Sequence, residues 1–437
     1  MPGMSVEPYW EITFDADGDP DLAQRDRLTA GVGARGVTDL LVFSHGWNSD
    51  RSGATALYDR FLAPVPGLLA GRARPGTVMG YAGVLWPSMR FSDEPIPDVG
   101  TLLPGPEPLR PEPALDAVTR DALVAVFPGH EDDIRRIAGL LEERPDGEEP
   151  FAEFAALVRR LTGVPPEAVA GLCADDTSDS APGAEPAVLC GDPVAACEEY
   201  AAALEGGTGL PPAGGGWTRL WNGAKEMLRQ ATYYAMKRRA GAVGERGLGP
   251  LLGGLARAHP SLSVHLVGHS FGGRLVSYAL RGLPDGVRAV KSVTLLQGAF
   301  SHYAFASRLP HDGGHGGALG SARLKVAGPV VSCYSRHDTA LGTMYPIASR
   351  LAGDDRGFGP DLGDRWGATG HDGIKAVDDT MDMPLAEALR GAFPRAGCVS
   401  VDASAVVARG GPPSGAHSDI CHPELARIVL RAGRLLT

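Results

Sequence analysis

Unbroken apolar runs, more than alternating ones, punctuate this chain. Residues 37–44 (VTDLLVFS) are nearly continuously apolar, the pattern of a strand buried on both faces of a parallel sheet. Residues 9–14 fit an edge strand and 78–86 (VMGYAGVLW) the next inner one; each run ends at a loop rich in Gly, Pro, Ser or Asn. Further strands are predicted at 263–267, 290–296, 329–334 and 398–401, with a helix through Met236 and another from Ser270. A final helix follows Pro423, with Leu425, Ile428, Val429 and Ala432 on one face. Strands alternating with helices predict an α/β protein with a doubly wound, mostly parallel sheet, whose sites lie at the carboxyl ends of strands. No solenoid-type repeat interrupts the pattern.

Between residues 89 and 216 the rhythm changes. Proline clusters (PIPDVGTLLPGPEPLRPEP) give way to short amphipathic segments. Ile134, Ile137, Ala138 and Leu141 recur at helical spacing, as do Phe151, Phe154, Ala155 and Val158. No β-branched run appears there, so the segment reads as an all-helical cap inserted into the sheet domain. The expected organisation is a core formed by 1–88 and 217–437, with 89–216 as a helical cap or lid.

Composition narrows the function classes. Apolar residues make up 43% and charged residues 21% of the 437, ordinary globular usage that allows a sizeable core. A formal charge of −11 argues against nucleic acid as a partner. The opening residues MPGMSVEPYWEITFDADGD have neither a basic nor an apolar signal region, and no window approaches 18 consecutive apolar residues, so neither a signal peptide nor a membrane span is expected. Six cysteines without a CxxC pair suggest scattered core thiols of a cytoplasmic protein; a local disulfide of Cys190 with Cys197 or Cys173 stays open.

The chemistry concentrates after the run SVHLV, where Gly268-His269-Ser270-Phe271-Gly272-Gly273 leads into the helical pattern RLVSYALRGL. This is G-x-S-x-G in the strand–turn–helix setting it requires. The turn strains the serine backbone, so small residues must stand two before and two after it, which Gly268 and Gly272 do. Ser270 then projects at a helix N-terminus, where developing negative charge is favoured. His269 precedes the nucleophile and is expected to point elsewhere.

With these residues the chain resembles the α/β-hydrolase superfamily, most of all its serine esterase and lipase-like branches. A second matching segment is Ser44-His45-Gly46-Trp47-Asn48. The resemblance implies an oxyanion hole there, with the backbone N–H groups of Trp47 and Phe271 as donors and His45 and Gly46 supporting them. Trp86-Pro87-Ser88 is similar to the WPS of esterase-like relatives and is given no role.

A triad in this fold runs Ser, then acid, then His. GPVVSCYSRHD delivers Asp338 just past a strand, whereas VTLLQGAF ends without a carboxylate. Asp338 could also serve as an N-cap for Thr339-Ala340-Leu341, and the two roles are compatible. The base comes from GGPPSGAHSDICHPELA, where His417 lies in a Gly/Pro-rich loop and resembles the HSD-type ending of relatives. His422 directly precedes Pro423 and suits the start of a helix, and Asp419 is the runner-up acid.

Other motifs point away from catalysis. Pro310-His311-Asp312-Gly313-Gly314-His315-Gly316 cannot form the helix that H-E-x-x-H needs and reads as a mobile surface loop, so no metal is expected. Lys237-Arg238-Arg239 reads as a solvated basic face, and there is no phosphate-binding G-x-x-x-x-G-K-[ST] loop. The resemblance therefore implies a cofactor-free serine hydrolase acting on a small-molecule or lipid-like carboxylic ester through an acyl-serine intermediate. Thioester or amide hydrolysis and acyl transfer use the same residues, and a catalytically silent binding protein is the rival from another class.

Overall fold

The computed structural model of the chain describes residues 4–47, 49–89, 114–165, 169–170, 184–185, 191–208, 216–311, 313–344, 367–411 and 414–437. One eight-stranded sheet, parallel throughout, organises it: β1 (Tyr9–Thr13), β2 (Asp39–Ser44), β3 (Met79–Leu85), β4 (Ser263–His269), β5 (Val290–Leu296), β6 (Pro329–Tyr334), β7 (Thr380–Pro384) and β8 (Gly397–Asp402). In space the strands run β1-β3-β2-β4-β5-β6-β8-β7. The chain lays β3 and β1 to one side of β2 and every later strand to the other. Strand order thus reverses between β2 and β4, the place where α/β sheets open a crevice at their carboxyl ends.

Strand β2 shows why the apolar runs are unbroken. Leu40 and Val42 pack on one face with Leu28 and Val32 of helix α1 (Leu22–Ala34). Leu41 and Phe43 point to the other face, among Tyr58 and Phe61 of α2 (Arg51–Leu62) and Ile428 and Val429 of the terminal helix Pro423–Ala432. Alternate side chains serve opposite layers, so β2 is apolar between its end residues Asp39 and Ser44. One such end holds a buried polar group: His265 pairs across the strands with Ser292, its Nδ1 2.9 Å from the Ser292 Oγ, while its Nε2 lies 3.1 Å from Asp39 Oδ1. This group ties β2, β4 and β5 together at their amino ends.

The inserted region supplies α3 (Ala117–Val126), α4 (Glu131–Glu143), α5 (Glu148–Thr162) and α6 (Pro193–Thr208), and the two predicted helical faces are buried as expected. It is not all-helical, because Val169–Ala170 and Ala184–Glu185 form a short parallel pair. Helix α7 (Trp217–Ala242) follows, longer than the sequence pattern predicts, and passes through one π-turn (Val243–Leu248) into α8 (Gly249–Ala258). Its first half packs with the inserted helices: Phe151 stacks on Trp217 and Trp221. Further along, the Lys237 carbonyl accepts a hydrogen bond from Arg274 in α9 (Phe271–Gly282).

Of Lys237-Arg238-Arg239 only Arg238 is exposed, so the run is a solvated face in part. Lys237 is buried, Arg238 donates to the Thr162 carbonyl and Arg239 to those of Val126 and Pro87. Thr162 and Val126 close α5 and α3, so the two guanidinium groups cap the negative ends of those helices. Among the described residues no helix is long and apolar enough to cross a membrane.

Candidate active site

Ser270 sits at the tip of the β4–α9 turn with φ 54° and ψ −122°, a conformation that L-residues avoid. Its neighbours explain how the strain is held. A methyl group on Gly272 would stand 2.1 Å from the Ser44 carbonyl oxygen, and one on Gly268 would stand 2.3 Å from that of Gly272, so neither position admits a side chain. The Ser270 N–H donates to the Leu296 carbonyl at 3.0 Å, and its carbonyl accepts from Gly273 and Ala299.

The three residues predicted from chain order meet. His417 Nε2 lies 2.9 Å from Ser270 Oγ, and His417 Nδ1 lies 2.7 Å from Asp338 Oδ2. A carboxylate only accepts, so Nδ1 carries the proton and Nε2 is left to accept from the serine hydroxyl. Asp338 is fully buried, and its other oxygen accepts from the Leu341 N–H at 3.0 Å, so the capping and the imidazole-facing roles coexist. His422 stands apart at the start of the last helix, paired with Asp419 at 2.9 Å. Asp419 is occupied there and with the N–H groups of Ala408 and Arg409, and no hydrogen bond joins it to His417 among the described residues.

The β2 loop lies against the serine. A methyl group on Gly46 would come within 2.7 Å of Ser270 Cβ, which brings Trp47 alongside the elbow. Phe271 opens α9, so its N–H is one of those a helix leaves without an internal acceptor. The Trp47 and Phe271 rings, 6.2 Å apart, share Tyr233 of α7 as a neighbour at 5.6 and 4.8 Å. An aromatic wall thus borders the two expected oxyanion donors.

His45 is wholly internal. Its N–H donates to the Tyr58 hydroxyl, its Nδ1 faces the Gly46 carbonyl at 2.8 Å, and burial pushes its imidazole down to about 4. Trp86 stacks on it and donates from Nε1 to the His45 carbonyl at 3.0 Å, while the Ser88 hydroxyl donates to the Ser49 carbonyl at 2.6 Å. The WPS segment, legible but without a role in the sequence, therefore clamps the loop at both ends. Asn48 lies outside the described residues, as do Cys173, Cys190 and Asp312.

His269 is the site residue that sequence reasoning set aside. It does point away from Ser270 Oγ, but toward the backbone of His417: its Nε2–H donates to the His417 carbonyl at 2.9 Å. Cys197, Cys333 and Cys398 are free and buried. Among the described residues no group of three His, Cys, Asp or Glu side chains is placed to hold a metal ion. No protein-family model, no curated protein and no solved structure matches this chain, so the functional reading stands on the residues themselves.

Proposed function

We propose that this chain is a serine hydrolase of the α/β-hydrolase type that cleaves a carboxylic ester. The observation that carries the reading is the continuous contact Ser270 Oγ–His417 Nε2 (2.9 Å) and His417 Nδ1–Asp338 Oδ2 (2.7 Å), on a strained elbow at the carboxyl end of β4. In the proposed reaction Ser270 Oγ attacks the ester carbonyl carbon as its proton passes to His417 Nε2, and Asp338 stabilises the imidazolium. The oxyanion faces the N–H groups of Trp47 and Phe271, a kind of contact worth about 10²–10³ in rate per donor. The alcohol leaves with the proton from His417. Water then attacks the acyl-serine, its proton passing through His417 back to Ser270 as the carboxylic acid departs.

The half-buried rings of Trp47 and Tyr233, packed on the buried Phe271 beside the elbow, favour an ester with an apolar substituent. The buried free thiols of Cys197, Cys333 and Cys398 agree with a cytoplasmic setting. The test is labelling with an alkyl fluorophosphonate. A single adduct on Ser270, absent in Ser270→Ala, is expected, followed by turnover of p-nitrophenyl esters. A folded protein that takes no adduct would be a binding protein instead.

A further inference from the structure

We propose that His269 is a positioning residue for the base, holding the His417 backbone carbonyl so that the imidazole meets Ser270. The inference rests on the hydrolase reading of the site. Two consecutive residues of one turn grip the same histidine at its two ends. Ser270 Oγ lies 2.9 Å from His417 Nε2, and His269 Nε2 lies 2.9 Å from the His417 carbonyl oxygen. Base and elbow are otherwise 147 residues apart in sequence. His417 belongs to an irregular loop between β8 and the last helix, and regular secondary structure does not fix it. Other backbone tethers, among them Ala416 N–H to the His337 carbonyl and His417 N–H to the Ser414 carbonyl, bind the loop to the acid turn and to itself. The His269 bond ties its backbone to the turn that carries Ser270.

The chemistry of the donor suits this task. A carbonyl only accepts, so His269 carries its proton on Nε2, and its Nδ1 turns toward the close-packed Gly46. His269 is buried, and burial, reinforced by the neighbouring His417 and His45 rings, pushes its imidazole down to about 3. It therefore stays neutral while His417, with its ring centroid 5.1 Å away, takes up and releases a proton. His269 thus places no like charge beside the imidazolium.

The test compares wild type, His269→Leu and His269→Gln by rate of alkyl fluorophosphonate labelling at Ser270, and by kcat and KM for p-nitrophenyl butyrate, at matched thermal stability. Glutamine can extend an amide N–H toward the place of Nε2; leucine cannot. The expected result is a loss of about 10²-fold in labelling rate and kcat for His269→Leu with KM nearly unchanged, and recovery of most of that loss in His269→Gln. A leucine variant within twofold of wild type overturns the proposal, as does a glutamine variant as slow as leucine, because the donor would then be irrelevant. If His269→Leu does not fold, His269→Asn, whose amide is too short to reach, takes its place under the same criteria. Wild-type protein that fails to label overturns the hydrolase reading and this inference together, whereas labelling that is indifferent to position 269 overturns this inference alone.

Discussion

Phe151 lies over Trp221 with ring centroids 4.2 Å apart and planes 24° from parallel. One ring belongs to the inserted helices and the other to α7, which also packs on the helix that follows Ser270. The inserted segment and the sheet are thus joined by a shared hydrophobic cluster. Trp221→Ala should cost about 3–5 kcal/mol of stability, measured by chemical denaturation, because a large internal cavity replaces the indole. Labelling at Ser270 should persist in the folded fraction. A cost below about 1 kcal/mol would mean that the stack is not what joins the two parts.

Asp338→Asn separates the two roles of that side chain. Asparagine keeps an oxygen for the Leu341 N–H, so the turn should stay folded, with a stability change of about 1 kcal/mol or less. It cannot hold the His417 tautomer, so kcat should fall by about 10⁴-fold. Equal losses of both would point to a purely structural acid.

His417 and His422 are distinguished by pH. A base must be neutral to accept the serine proton, so kcat/KM should rise with pH through the titration of the base. His45 and His269, held down to about 4 and about 3 by burial, are neutral throughout and contribute no step near neutrality. His417→Ala should abolish the limb with the activity, and His422→Ala should retain it. The reverse outcome in matched pH–rate profiles would move the base to His422.

Trp86→Phe keeps a ring stacked on His45 but removes the donor to the His45 carbonyl. The β2 loop should loosen, and kcat should drop about tenfold, within what small misplacements of catalytic groups cost. Combined with Ser88→Ala, which frees the Ser49 carbonyl, the loss should exceed either alone. Wild-type kcat in the double variant would show that the loop holds itself.

The Asp39 carboxyl predicts an acid-side change in stability. Burial raises it, but hydrogen bonds from His265 and Thr38, with the charges of His265 and Arg74, outweigh that and hold it below the ordinary carboxylate value. A group lowered in the folded state stabilises above its unfolded value, ~3.9, and loses that contribution as pH falls through its folded value. The stability gap between wild type and Asp39→Asn should therefore be full near neutrality and shrink below about pH 4. A gap independent of pH in urea titrations would contradict the assignment.

What was legible in the sequence was local. β5 and β6 have the bounds that their apolar runs predict, and the elbow is a six-residue pattern. Gly415 and Pro423 distinguish the two histidines, because one marks a turning loop and the other a helix start. β7 escaped notice because Thr380–Pro384 has one neighbour and buries only Met383 of its five residues. α7 was blurred because Glu226, Gln230, Thr232 and Lys237 are internal, which erases the polar stripe. The contact of His269 with His417 spans 148 residues, a distance over which no periodicity speaks.

Ser292, His265 and Asp39 make a second serine–histidine–aspartate chain, with spacings of 2.9 and 3.1 Å, on the strands next to or carrying the first. All three residues are at most 1% exposed, and they sit at the amino ends of β2, β4 and β5, under packed helices. A hydroxyl that no solute can reach is an interlock and not a nucleophile, whatever its partners. The sheet thus carries the same three functional groups at opposite poles, one set sealed and the other opening to solvent through the half-buried His417. On the hydrolase reading, reactivity is a property of which end of the strand is left open.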